Sequence, residues 1–369
     1  MVTPGYYPIK GGTEAVVQNL SMELNRIGVH TDVMTFNMDQ KWNPRWRGKT
    51  EIINGVTIFK IPGLNWFPLE HSPRITMGVN LIPGRFRNIL KQYDVVHFHE
   101  DLSFPFFSFF LRKPKIFHEH GLNVGMLKRY RLHRSLFKHV ADLYIVLSKQ
   151  QEENLFEMGI PKNKILRLPN GVDTNLFIPT GKKEENLILF VGRVAFNKGV
   201  HVLIESLHHL KTPVRLVIIG PPWELDYYQE LQKLAEKEKR EGKHEIIFLG
   251  ALDHSDVVQW YQKASIFVLP SFYEAFPVVM LEALSCETPL ISTPVGSGGI
   301  SEVIRNYKNG ILVPKNDAIK LAEAIQYLLD NKEIRTKLGK AGRKTVTKEY
   351  SLKVVGEQLS EIYYRISNQ

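Results

Sequence analysis

Between Leu187 and Asn331 six short apolar runs alternate with longer amphipathic stretches, and this alternation restricts the fold more than any other feature of the chain. The runs are Leu187 to Val191, Arg215 to Gly220, Glu245 to Leu249, Ser265 to Leu269, Pro289 to Ser292 and Gly310 to Val313. Helical spacing fills the intervals at Val200 to Leu210, Tyr227 to Arg240, Ser255 to Lys263, the stretch from Pro277, and Gly299 to Arg305, and Ala318 to Asn331 follows the last run. A strand followed each time by a helix predicts a mostly parallel sheet with helices on both faces.

The N-terminal half repeats the architecture without repeating the sequence. A helix is predicted from Thr13 to Ile27, with Val16, Leu20, Leu24 and Ile27 as its apolar stripe, Thr13 as N-cap and Gly28 as its end. Strands follow at Thr31 to Phe36, Val56 to Ile61, Val95 to Phe98, Lys115 to Phe117 and Leu143 to Val146. A chain of 369 residues exceeds one ordinary core, so the expectation is two α/β domains. Turn chemistry at Leu168 to Asp173 and the polar run Thr180 to Asn186 place their boundary near residue 175, giving domains 1–174 and 175–347. The tail 348–369 carries an apolar stripe of Val354, Val355, Leu359, Ile362, Tyr363 and Ile366 that needs a partner. If the N-terminal strands take the order 3-2-1-4-5-6, the first is central, yet only Met1, Val2 and Thr3 precede Pro4. A natural start several residues upstream, with Met1 an internal methionine, is the resulting expectation, the alternative being that the chain manages with a stub whose gap water or a loop fills.

The lone Cys286 excludes an internal disulfide, and a reducing, cytoplasmic location is expected. The most apolar patch, Leu102 to Leu111, contains Pro105 and is about half a membrane span. Residues 41–138 hold 17 Lys+Arg against 6 Asp+Glu, a net +11 of the chain's +10 total, and include Arg45, Arg47, Lys49, Arg85, Arg87, Arg112, Lys113, Lys115, Lys128, Arg129, Arg131 and Arg134. Such a surface suits an anionic partner, and peripheral contact with an anionic inner membrane face is one such role. The other is a solvated face with no partner. Nucleic acid is not expected, because no recognition motif accompanies the charge. The aromatic run Phe104, Phe106, Phe107, Phe109 and Phe110 fits a crossover helix packed on a sheet better than a membrane wedge.

Chemistry concentrates at predicted strand ends, where ligands bind in open α/β sheets. Glu274 lies on the loop after the Ser265 to Leu269 strand, and Glu282 lies more than a turn inside the helix that Pro277 opens. Gly192-Arg193 ends the first strand of this half and Lys198-Gly199 opens the next helix, directing a guanidinium, an ammonium and a helix N-terminus toward one point, as a diphosphate requires. Gly220-Pro221-Pro222 and Gly296-Ser297-Gly298-Gly299 turn at other strand ends, and Gly11-Gly12 precedes the first helix. No Walker loop and no Asp-x-Asp motif occurs. His118 and His120 flank Glu119 and could be half a metal site, but no further ligand cluster is visible in the sequence, so no metal is expected. His97 and His99 end a strand in the same way, one expected to line a ligand cleft and the other to be structural.

Taken in order, Gly11-Gly12, His118-Glu119-His120-Gly121, Pro169 to Asp173, Val191-Gly192-Arg193 with Lys198-Gly199, the Glu274/Glu282 pair, and Gly299 to Ile304 with Asn309-Gly310 resemble a retaining glycosyltransferase of family 4. The resemblance covers nearly the whole chain. It departs at Ala275 and Pro277, where the family often has glycine, and at Glu287, where a helix-ending glycine is common. The resemblance implies a GT-B fold, two Rossmann-like domains facing across a cleft, with the 348–369 helix crossing back to the first. It also implies a nucleotide-diphosphate sugar as donor substrate rather than a cofactor, and a glycan, lipid-linked or small-molecule acceptor. Arg193 and Lys198 would bind the diphosphate and neutralise its growing charge, Glu282 would bind the ribose, Glu274 the sugar hydroxyls, His120 the reacting sugar, and Gly12 would let its loop approach the phosphate. Retention would proceed by front-face attack. Two other classes stay open: a nucleotide-sugar epimerase of the same fold, and a non-catalytic sugar-nucleotide binding protein.

Overall fold

The computed structural model describes residues 1–7, 11–39, 45, 47–62, 88–99, 111–121, 137–241, 244–296 and 298–368. Pro8 to Lys10, Ser297, the aromatic run from Phe104 to Phe110, and Arg85, Arg87, Lys128, Arg129, Arg131 and Arg134 lie outside the described residues. The chain divides into two compact units, Met1–Gly171 with Leu352–Gln369, and Val172–Ser351.

The second unit is one six-stranded sheet of β8 (Leu187–Val191), β9 (Arg215–Ile219), β10 (Glu245–Gly250), β11 (Ile266–Leu269), β12 (Leu290–Ser292) and β13 (Ile311–Leu312). Its order is β10-β9-β8-β11-β12-β13, and every pairing is parallel. Counted within the unit this is 3-2-1-4-5-6, which puts the switch in strand order between β8 and β11. Those two strands are buried at every residue, as central strands covered on both faces must be.

In the first unit β1 (Val33–Phe36), β2 (Lys49–Ile53) and β3 (Val56–Ile61) pair in the order β1-β3-β2, while β4 (Val96–His99), β5 (Lys115–His118), β6 (Leu143–Val146) and β7 (Ile165–Arg167) run in sequence. The short segment at Val2 joins the two groups. Val2 N–H donates to His97 O at 2.7 Å, His99 N–H to Val2 O at 2.8 Å, Thr3 N–H to Met34 O at 3.0 Å and Met34 N–H to Met1 O at 2.8 Å. The three-residue stub thus occupies the central position that the sequence assigns to a first strand. Burial of the Met1 amine lowers its pKa to about 5.

Local differences from the sequence reading have plain causes. Helix α1 (Gly12–Arg26) begins one residue earlier than expected, and Gly11 rather than Thr13 is its N-cap. Its end follows the reading, with Gly28 at φ +87° and Val29 N–H donating back to Leu24 O at 2.8 Å. Strand β2, absent from the reading, pairs antiparallel with β3 through Asn54 and Gly55 at φ +51° and +78°, the two left-handed positions of a tight hairpin.

The last helix, Leu352–Ser367, packs on α1 within the first unit, and the chain passes from the second unit to the first at Ser351/Leu352. Val355, Leu359 and Ile366 are buried there, and Gly356 lies so close to Glu23 that a Cβ would stand 2.7 Å from its Cγ. Burying three such side chains contributes about 1.5–3 kcal/mol each. Deletion of residues 352–369 is therefore expected to unfold the first unit or lower its melting temperature well beyond 10 °C, and to abolish turnover. A truncate that melts and turns over like the full chain in calorimetry and kinetic assay would contradict this packing role.

Candidate active site

The C-terminal ends of β8 and β11 carry most of the chemistry in the second unit. After β8 the chain turns at Gly192 and passes Arg193 and a 3-10 turn at Phe196–Lys198, then enters helix Val200–Leu207 through Gly199, which is left-handed at φ +67°. A Cβ at Gly199 would stand 2.2 Å from Pro270 O, and Phe272 N–H donates to Asn197 O at 2.8 Å. The Lys198 loop and the Glu274 loop are thereby fastened together. Gly199, the N-cap of helix Val200–Leu207, has no side chain to cap it, and the first-turn His201 N–H donates instead to the Tyr227 hydroxyl at 3.2 Å.

Lys198 Nζ lies 2.7 Å from Glu274 Oε1, and Ser271 Oγ donates to the same oxygen at 2.7 Å. The ion pair is mostly buried, the side chains being 14% and 9% exposed. The family resemblance implies that these residues hold different parts of a donor, and the structure brings them into direct contact. Glu274 is held from behind as well. A Cβ at Gly296 would fall 1.6 Å from Glu274 O, and one at Gly299 2.5 Å from Ala275 O, so glycine is required where the β12 loop backs the Glu274 loop. An open depression lined by Phe272, Tyr273, Pro294, Val295, Gly296 and Lys315 adjoins this point. Arg193 lies with its guanidinium carbon 4.6 Å from the centre of the Trp223 ring, which fixes its plane by cation–π contact.

Glu282 sits in helix Val278–Ser285, buried to 5% exposure. Pro277 is the extended N-cap of that helix rather than part of its first turn, and Glu287, just beyond the C-terminal end, takes φ +55°, the conformation for which glycine is common in the resembling family. His254 Nε2 is 2.9 Å from Glu282 Oε1, and Tyr261 Oη donates to Oε2 at 2.7 Å. The bond to Glu282 raises the His254 pKa, and burial holds the Tyr261 phenol far above its usual value. Each carboxylate oxygen retains a second lone pair for a ligand hydroxyl. His254 and Tyr261 are absent from the sequence reading: the helix predicted from Ser255 in fact begins at His254, which puts the two at i, i+7 on one face.

In the first unit Gly12 opens α1, and among the described residues nothing lies within 4 Å of where its Cβ would be. His120 follows β5, and its Nε2 is 2.9 Å from His99 Nδ1. The sequence reading found no cluster to accompany His118 and His120; the structure corrects this. Because β4 and β5 pair in parallel with His99 opposite His118, both His-x-His pairs face the same way, and His97, His99, His118 and His120 stack with ring centres 4.2–5.3 Å apart. His97, His99 and His118 are at most 1% exposed, and burial, followed by the neighbouring charges, holds all three pKa values well below the ordinary range.

Two compact α/β units, the second a six-stranded parallel sheet with Arg193, Lys198 and Glu274 on the connections after its strands, match the GT-B fold of solved glycosyltransferases. The family model described as Glycosyl transferases group 1 matches residues 172–345, and that described as Glycosyltransferase Family 4 matches residues 10–176. The chain belongs to this group 1, family 4 set of glycosyltransferases. It is 27% identical to an uncharacterized glycosyltransferase of Methanocaldococcus jannaschii, over 98% of this chain and 97% of that one. It is 25% identical to the O-antigen chain mannosyltransferase C of Escherichia coli, over 92% and 90% of the two chains. Among solved structures, sucrose-phosphate synthase from Thermosynechococcus elongatus superposes with a TM-score of 0.79 at 24% identity, covering 99% and 98%. Anabaena HepE in complex with UDP-glucose gives 0.78 at 18% identity, covering 99% of each.

Proposed function

We propose that the protein transfers a hexosyl unit, with retention of configuration, from a nucleotide-diphosphate sugar to a glycan, lipid-linked or small-molecule acceptor, with no divalent metal at the diphosphate. The observation that carries this reading is the pairing of two cations, Arg193 and Lys198, on the connection after β8, with Lys198 fastened to Glu274. The cations neutralise charge that grows on the departing phosphate, and that phosphate's oxygen takes the acceptor's proton during front-face attack. Glu282 binds the ribose, Glu274 the sugar hydroxyls, and His120 and Gly12 serve the sugar and phosphate in the family's pattern. The solved HepE complex holds UDP-glucose, and the E. coli relative is named a mannosyltransferase, which supports a hexosyl donor. Exposed Arg45, Arg47, Lys49 and Arg112 support an acceptor at an anionic inner membrane face. Among the described residues no helix is long and apolar enough to cross a membrane.

Incubation with UDP-, GDP- and ADP-sugars, with and without an acceptor extract, tests the reading: donor should be consumed only when acceptor is present. Epimerised donor without acceptor would replace it with the epimerase reading, and tight donor binding without turnover with the sensor reading. The same assay in EDTA should keep its rate, since two protein cations already serve the diphosphate; loss restored by Mg²⁺ or Mn²⁺ would overturn the metal-free mechanism. Glu282→Ala is expected to raise donor KM about tenfold or more, with a smaller change in kcat, because a ribose contact far from the breaking bond serves ground and transition state alike. An unchanged donor KM would remove the ribose assignment.

A further inference from the structure

We propose that His97, His99 and His118 form a binding site for a divalent transition-metal ion, Zn²⁺ being the best match, inside the first unit. Each of the three offers a ring nitrogen, and these atoms lie within 4.8 Å of one another. A tetrahedral Zn²⁺ with Zn–N bonds of about 2.0–2.1 Å needs its nitrogens about 3.3 Å apart, so binding draws the three rings closer together.

The nitrogens left over in the protein point to such a ligand. Among the described residues, His97 Nε2, His99 Nε2 and both nitrogens of His118 are buried without a hydrogen-bond partner. Unpaired buried polar atoms are rare because each has given up water for nothing, and four within one cluster of three residues need an explanation. One cation bound to His97 Nε2, His99 Nε2 and a nitrogen of His118 accounts for three of them at once. The opposite ring nitrogens are already braced as metal-binding imidazoles require: His97 Nδ1 is 2.6 Å from the Tyr363 hydroxyl, and His99 Nδ1 is 2.9 Å from His120 Nε2. With Nδ1–H donating in both cases, each Nε2 lone pair is free for the ion. A set of three neutral imidazoles in a dry site suits Zn²⁺, Co²⁺, Ni²⁺ or Cu²⁺ and not the oxygen-seeking Mg²⁺ or Ca²⁺. A fourth position remains for water.

The full chain, stripped with dipicolinate and dialysed, should take up one equivalent of Co²⁺ with the intense visible absorption of four-coordinate cobalt, and Zn²⁺ should displace it. Tyr363→Phe, which removes only the brace on His97, is expected to weaken Zn²⁺ binding by about 10- to 100-fold. His118→Asn should abolish uptake, whereas His209→Asn, at an exposed position, should leave it intact. No stoichiometric uptake, a weak six-coordinate cobalt spectrum, or equal affinity in wild type, His118→Asn and Tyr363→Phe would each overturn the site. Should His118→Asn fail to fold by circular dichroism, the wild-type spectrum and Tyr363→Phe still decide. Because the readout is metal binding, its failure is distinct from failure of the donor reading.

Discussion

Lys198→Ala is expected to lower kcat by about 100- to 1000-fold, and Arg193→Ala to act in the same direction. In the proposed mechanism each removes a cation from a transition state that carries more phosphate charge than the ground state, and loss of one such preorganised contact typically costs about 2.7–4 kcal/mol. The structure adds a second reason for Lys198. Its ammonium is 2.7 Å from Glu274 Oε1, so alanine leaves a buried carboxylate with Ser271 Oγ as the remaining contact on that oxygen. The loop after β11 should then relax, and a drop in melting temperature should accompany the loss of turnover. Arg193→Ala instead removes the cation–π contact with Trp223 at 4.6 Å. Steady-state kinetics at saturating donor with calorimetry on both variants separates the two contributions. Near-normal kcat with only a raised KM would exclude the transition-state role.

Much of this arrangement could be read from the chain, for physical reasons that also explain the gaps. Strands buried on both faces, such as Leu187–Val191, consist of apolar residues throughout and are legible without partners. The positions of Arg193, Lys198 and Glu274 at strand ends follow from that periodicity. What could not be read is contact between loops far apart in sequence: Lys198 and Glu274 are 76 residues apart, and their meeting depends on β8 and β11 lying side by side. The histidine cluster has the same origin, since only the parallel register of β4 and β5 sets His99 beside His118. Helix Lys332–Glu349 was missed because Gly339 and Gly342 weaken its helical signal. Those glycines are needed for packing: a Cβ at Gly339 would meet Glu287 O at 2.2 Å, and one at Gly342 would meet Leu284 Cδ2 at 2.6 Å. The hairpin was missed although Asn54-Gly55 announced it, because the exposed and half-buried residues of Lys49–Ile53 do not form an apolar run.

Gly296→Ala should be as damaging as removal of the lysine, although the new methyl group carries no charge. At φ +80° an L-residue is strained by about 1–2 kcal/mol, and the added Cβ would stand 1.6 Å from Glu274 O and 2.5 Å from Glu274 C, distances at which backbone cannot remain. Either the β12 loop or the Glu274 loop must move. Movement of the second pulls its carboxylate from Lys198, and a displacement of about 1 Å at a reacting centre can cost about 100-fold in rate. Gly250→Ala is the control that isolates the collision from the strain: it has φ +68° and nothing within 4 Å of the added Cβ. Both variants should melt below wild type, at about 2–4 °C per kcal/mol for a unit of this size. Only Gly296→Ala should lose about 100-fold in kcat/KM, and a Glu274→Ala change added to it should cost little more, since the carboxylate is already out of place. Equal activity in Gly296→Ala and Gly250→Ala would mean that the backing of Glu274 by the β12 loop has no part in transfer.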